Sequence, residues 1–232
     1  MEKYNSVIVI PYRDREEHLN YFLNNTYPII KKNMSNCKII IIEQYGNELF
    51  NRGKLLNIGF KLYENKSKYF ITQDVDINPC EKVINELYNK ELENDEILGI
   101  LNSPCITLGG ITKFSNKLLF QINGFPNNLW GWGVEDKVLH NRAVFFNKKI
   151  IYNYYAKTQE ADNFFKKFED NHDRKTSSDF NKNTCFEYNV FNNLEEKKKE
   201  ELILNSGLNN IEYDILEIKK INGMVDLILV KI

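Results

Sequence analysis

The tripeptide Asp74-Val75-Asp76 carries two carboxylates just beyond the apolar run Tyr69–Thr72. In an extended segment alternate side chains share a face, so the pair could grip a hard divalent cation and, through it, a diphosphate. The same residues also suit a polar strand end before a turn at Asn78-Pro79, and spacing alone leaves both readings open. Pro11-Tyr12-Arg13-Asp14-Arg15 brings two guanidinium groups and a phenol ring together after another apolar run, Ser6–Ile10. Arginine forks match phosphate oxygens and a tyrosine can stack on a base, yet charges such as Asp14, Glu16 and Glu17 are also ordinary at a helix start. Trp130–Lys137 (WGWGVEDK) holds both tryptophans of the chain, each followed by glycine, ahead of Glu135 and Asp136. Acids in a first helical turn are common, but that leaves Gly-Trp-Gly unexplained. Glycines permit large backbone swings and an exposed indole can cover a sugar ring. The stretch therefore reads as a mobile aromatic loop beside a carboxylate. His172, one of three histidines, reads on its own as a surface residue.

The elements that must hold these groups alternate along the first ninety residues. Ser6–Ile10, Lys38–Ile42 and Tyr69–Thr72 are short apolar runs that predict buried parallel strands. Helical spacing predicts helices over Arg15–Lys32, which Pro28 should kink or end, and over Leu49–Tyr63, with a charged helix over Glu81–Leu92. This order predicts a parallel α/β sheet, in which ligands bind beyond the carboxyl ends of strands, where Pro11–Arg13 and Asp74–Asp76 would fall. Further on, Gly109-Gly110 marks a tight backbone site, Ser115–Asn123 and Glu135–Phe146 predict helices, and Lys149–Tyr155 a strand. Phe164–Lys182 gives no clear pattern. Asn222-Gly223, between Tyr213–Ile221 and Met224–Ile232, predicts a hairpin. No repeat or linker-like shift divides the chain, so one domain is expected.

With 31 basic and 32 acidic residues among 232, bulk charge makes no case for nucleic acid or an anionic membrane. The 42% hydrophobic share is enough for a core. Cys37, Cys80, Cys105 and Cys185 lack metal-ligand spacing and suggest no disulfide framework. The apolar stretch before Pro11 is far short of the ~18–20 residues that span a bilayer, and it is no signal-peptide core. A cytoplasmic or otherwise soluble protein is the expectation.

Several stretches, in order and nearly end to end, carry a wider likeness: VIPYRDREEHL (9–19), LFNRGKLLNIGF (49–60), DVDINP (74–79), GGITKFS (109–115), INGFPNNLWGWGVEDKVLHNR (122–142) and SGLNNIEYDILEI (206–218). On these the chain resembles the catalytic domain of the inverting β-1,4-galactosyltransferase family, which has N-acetylgalactosaminyl- and xylose-directed members and is usually Golgi-lumenal. The resemblance implies an α/β GT-A (Rossmann-like) glycosyltransferase fold with a mixed, mostly parallel sheet. It implies one domain over 1–232, with a nucleotide-sugar-binding half (1–100) and an acceptor-binding half (101–232). The implied partners are a UDP-sugar donor and a glycan or glycoconjugate acceptor, with Mn²⁺ or Mg²⁺ as cofactor. Pro11, Tyr12, Arg13 and Arg15 would hold the uridine diphosphate, and Phe50 and Arg52 would line the nucleotide pocket. Asp74, Val75 and Gly110 would lie close to the donor. Asp76, His172 and, at the family's third ligand position, Glu169 would face the metal. Trp132 would close over the donor, and Glu135 and Asp136 would face the acceptor, Asp136 as base.

The chain departs from that pattern at three positions. Glu169 stands where the family usually has Met; it is a harder ligand if it binds, and could equally be a non-ligand. Thr107 stands where galactose-specific members carry Tyr, which leaves room for a 2-acetamido group. Lys137 replaces an acid that often follows the base. The competing expectation is an inactive nucleotide- or glycan-binding module; a nucleotidyltransferase would leave the aromatic loop unexplained.

Overall fold

Seven consecutive buried residues, Ser6–Tyr12, put β1 (Tyr4–Tyr12) in the middle of a sheet covered on both faces. The computed structural model describes residues 3–102, 107–131, 133–153, 155, 160–168 and 190–232. β1 pairs in parallel with β2 (Cys37–Gln44) on one side and β3 (Ser67–Gln73) on the other. The first crossover is a helical run of α1 (Glu16–Tyr21), a π-helical segment (Phe22–Thr26) and α2 (Tyr27–Asn33). The run does not end at Pro28. A proline lacks an N–H and crowds the carbonyl one turn back, and the wider π turn just before it accommodates both defects.

The second crossover is α3 (Arg52–Leu62), on the opposite face of the sheet. Its Leu55, Leu56, Ile58 and Phe60 pack with Val7, Val9, Ile40 and Ile42. Phe22 and Ile30 of the first crossover pack instead with Ile8, Ile10, Ile39 and Ile41. The chain thus steps from β1 to β2 and then crosses back over β1 to β3, and the carboxyl ends of β1 and β3 flank the crevice where such sheets bind ligands.

The remaining elements are β4 (Ile77–Pro79), α4 (Glu81–Val83) with a π-helical extension (Ile84–Tyr88), β5 (Glu96–Leu101), β6 (Ile111–Ser115), α5 (Asn116–Gln121), α6 (Glu135–Phe145), β7 (Lys149–Tyr152), β8 (Phe165–Lys167), α7 (Glu196–Leu204), β9 (Asp214–Lys220) and β10 (Val225–Lys231). Among the described residues the main sheet runs β7-β5-β6-β3-β1-β2-β10-β9. β6 is antiparallel to both neighbours and β9 to β10, and the other pairs are parallel. A short second sheet pairs β4 with β8. The helix expected over Glu81–Leu92 stops at Tyr88, because the Tyr88 and Lys90 carbonyls both accept from buried Lys113 Nζ (2.6 and 2.7 Å). The hairpin forms as expected, but around a longer turn in which Asn222 Oδ1 accepts from Met224 N and Val225 N (2.9 and 3.1 Å). Among the described residues no helix is long and apolar enough to cross a membrane.

Candidate functional site

β3 ends at Gln73, and Ile77 N donates to Asp74 O (3.1 Å), so Asp74–Ile77 is a turn. This corrects the expectation that Asp74 and Asp76 share one face of an extended segment, since strand alternation stops where the ladder stops. Each carboxylate meets its own arginine. Arg52 Nε donates to Asp74 Oδ1 (2.7 Å), and Arg15 Nη1 to Asp76 Oδ2 (3.0 Å). Pro11 and Tyr12 close β1 beside them; burial, then Glu43, pushes the Tyr12 phenol pKa up. Arg13 Nη1 donates to Glu48 O (2.6 Å), and its guanidinium lies over the Phe50 ring at 5.5 Å. Val75 is buried in the turn.

Phe50 precedes α3, whose cap is Asn51: its Oδ1 accepts from Lys54 N (2.9 Å) and its Nδ2 donates to Asn127 O (2.8 Å). Asn57, one and a half turns on, donates to Phe125 O (2.7 Å) and accepts from Phe125 N (2.9 Å). From the far side, buried Arg142 of α6 donates to Asn123 O and Gly124 O (3.2 and 3.0 Å). The segment leading to Trp130 is thus pinned at both ends, and Gly131 N donates to Phe50 O (2.9 Å). Gly131, Gly133 and Val134 follow with φ of +87°, +107° and +67°. For a β-branched residue the left-handed region is strained, by about 1–3 kcal/mol. That strained step delivers Glu135 onto Arg52, with Arg52 Nη1 to Glu135 Oε1 at 3.4 Å.

Arg52 therefore lies between carboxylates 61 residues apart in sequence, Asp74 and Glu135. Burial alone would lower its pKa, but Asp74 and Glu135 outweigh it and hold the guanidinium charged. Its Nη2 is buried without a hydrogen-bond partner among the described residues. Burial pushes the Glu135 carboxyl up to about 7, against the pull of Arg52 and with a further push from Asp136.

Asp136 is held against the double glycine. Its carbonyl accepts from Leu108 N (3.2 Å), and a Cβ on Gly109 would come within 2.7 Å of Asp136 Oδ2. Gly110 has φ +64°, and a Cβ there would sit 2.4 Å from Leu101 O. Only glycine lets this backbone approach so closely. Asp136, Gly109, Gly110, Asp74 and Thr107 line one cavity of about 400 Å³. Thr107 Oγ1 is buried there without a partner among the described residues.

Two polar residues of the cavity lining, Asn102 and Lys167, escaped the sequence reading. Asn102 Nδ2 donates to Gly109 O and Thr112 Oγ1 (2.6 and 2.9 Å), and Lys167 on β8 pairs with Asp162 (2.9 Å). Neither had a local signal, because Lys167 falls in the stretch without pattern. The β4–β8 pairing brings it in, and Phe168 N donates to Asp76 O (3.0 Å). Trp132, Glu169 and His172 lie outside the described residues. Among the described residues no group of three or more His, Cys, Asp or Glu side chains could hold a metal ion.

Known proteins resemble this chain in sequence and in fold. A family profile for the N-terminal region of glycosyl transferase group 7 matches residues 1–89, and one for the N-terminal domain of galactosyltransferase matches 102–166. β-1,4-Galactosyltransferase 1 of Bos taurus is 30% identical over 92% of this chain and 51% of its own length. β-1,4-Galactosyltransferase 4 of Cricetulus griseus is 38% identical over 62% of this chain and 43% of its own. The chain spans about half the length of these relatives. A solved Drosophila β-1,4-galactosyltransferase 7 mutant, in complex with manganese, UDP-Gal and xylobiose, superposes with a TM-score of 0.76 at 22% identity, covering 99% of this chain and 94% of that one. The catalytic domain of the same enzyme with xylobiose gives 0.74 at 23% identity. These likenesses give the fold, GT-A.

Proposed function

Because the chain belongs to the glycosyl transferase group 7 family, we propose that it is a metal-dependent inverting transferase moving galactose or N-acetylgalactosamine from a UDP-sugar to a glycan hydroxyl in β-1,4 linkage. One observation carries the reading. Arg15 and Arg52 meet Asp76, Asp74 and Glu135, residues up to 120 apart in sequence, beyond the carboxyl ends of β1 and β3, beside a cavity of about 400 Å³ that Asp74 and Asp136 help to line. Residues 1–232 would act as one domain, and a sheet that inserts β10 beside β2 supports this.

Arg13 and Arg15, with the unpartnered buried N–H of Arg52, would hold the diphosphate, and Tyr12, Phe50 and Val75 would take the nucleoside. Asp74, Thr107 and Gly110 would bound the donor sugar, and Trp132 would close over it. The Asp76 carboxylate already faces a cation, the Arg15 guanidinium, and its hard oxygen suits Mn²⁺ or Mg²⁺. Phe168 N donates to Asp76 O, so β8 reaches the Asp76 turn. Asp76, with His172 and Glu169 as the family resemblance implies, would hold the ion, which would neutralise charge on a departing diphosphate.

The chain's own groups do the rest. Glu135 binds and orients the acceptor, Asp136 takes the proton from its hydroxyl, and the hydroxyl oxygen displaces UDP in line, inverting the anomeric carbon. A positioned base contributes about 10²–10⁴ in rate. The test is UDP release from a panel of UDP-sugars with Mn²⁺, with and without GlcNAc, xylose or glucose. Release from one donor, stimulated by one acceptor and stopped by EDTA, is the expected result. Nucleotide binding without release from any donor would overturn the proposal in favour of a binding module, and pyrophosphate as product would indicate a nucleotidyltransferase.

A further inference from the structure

The last strand of the main sheet is uncovered. All seven residues of β9 are exposed, and no strand of the described residues pairs with its outer edge. Ile215, Leu216, Ile218 and Ile221 are 41, 46, 55 and 36% exposed, most of the large apolar side chains so exposed among the described residues. Asp214, Glu217, Lys219 and Lys220 are interspersed with these apolar side chains, so the edge groups can accept only a strand whose charges match.

The geometry points to a second copy of this chain as the occupant, docked β9 to β9 across a two-fold axis at Ile218. Ile221 N donates to Val225 O (3.0 Å), in line with the register that sets Lys220 opposite Asp226. Alternate residues of an antiparallel ladder direct both backbone groups to the same neighbour. Ile221, Lys219 and Glu217 therefore face β10, while Lys220 and Ile218 offer theirs outward. A symmetric antiparallel pair that uses the outward groups must centre on a single residue. Centred on Glu217 it would oppose glutamate to glutamate, and centred on Lys219, lysine to lysine. Centred on Ile218, it sets Glu217 against Lys219 of the copy on both sides of the axis and Ile218 against Ile218. Opposite charges and apolar pairs directly across a ladder stabilise it, and like charges do not.

A bulge at Leu216, which lies between the residues paired with Leu229 and Val230, bends the strand and shortens the ladder. The contact is therefore small, below about 1,200 Å² in total, which suits a reversible micromolar dimer. Sedimentation velocity on the full chain, over concentrations from about 1 to 200 μM, should show dimer growing with concentration. Ile218→Lys should weaken association at least tenfold. Glu217→Lys and Lys219→Glu should each weaken it, and mixing these two variants, or combining both changes in one chain, should restore it. These side chains are exposed, so circular dichroism should report an unchanged fold for each variant. A monomer at every concentration would overturn the inference, as would a dimer indifferent to the charge exchange.

Discussion

Glu135 is the residue whose environment makes the sharpest demand on the protein's pH behaviour. Its carboxyl faces Arg52 at 3.4 Å, with Asp136 and Asp74 adding negative charge nearby. Burial dominates and lifts its pKa from an ordinary 4.5 to about 7. A folded-state pKa above the unfolded value means that the folded state prefers the protonated form. The stability so gained is complete below about pH 4.5 and is lost as pH rises through about 7. At about 1.4 kcal/mol per pH unit that interval amounts to about 3 kcal/mol. Glutamine is nearly isosteric with the protonated acid and cannot ionise. Glu135→Gln should therefore match the parent protein in acid and exceed it by up to about 3 kcal/mol above neutrality. Urea denaturation of both proteins at intervals from about pH 4.5 to 8 gives the difference curve directly. Parallel curves, or a difference that shrinks as pH rises, would refute the account of Glu135 as a carboxyl raised by burial.

Asp136→Asn should lower transfer by about 10²–10⁴ while UDP binding by calorimetry stays within a few-fold, because the cavity wall is kept and only the proton acceptor is lost. Gly110→Ala would drive a methyl to within 2.4 Å of Leu101 O at a φ of +64°. It should cost at least about 1–3 kcal/mol in chemical denaturation, more than an exposed Gly→Ala change. Arg52→Met leaves Asp74 and Glu135 without their shared cation. It should destabilise the protein by about 3–5 kcal/mol at pH 8 and by less at pH 5, where Glu135 can protonate. EDTA should abolish UDP release, and added Mn²⁺ should restore it.

How legible all this was in the sequence depended on distance along the chain. β1, β2 and β3 announce themselves because a strand buried on both faces must be continuously apolar, as Val7–Ile10 and Ile39–Ile42 are. β6 does not, because buried Lys113 and Thr112 sit at its centre, satisfied by carbonyls and hydroxyls from β3, the turn after α4 and the double-glycine segment. The charged clusters of the site were equally visible, because acids and arginines beside glycine and tryptophan are poor material for a core. Their pairings were not. Asp74 and Asp76 look like one two-pronged group until a turn sends them to different arginines, and nothing local links Arg52 to Glu135. What ties those distant residues together is a set of polar side chains that look incidental in sequence. Asn51, Asn57 and Arg142 anchor the loop between residues 123 and 128 through its backbone carbonyls and amides. Replace Asn57 with Leu and the helix loses no propensity, but Phe125 loses both partners of its peptide and the approach to Glu135 loses its footing. The site's geometry is thus stored less in the residues that would do the chemistry than in the amides that hold the loop delivering them.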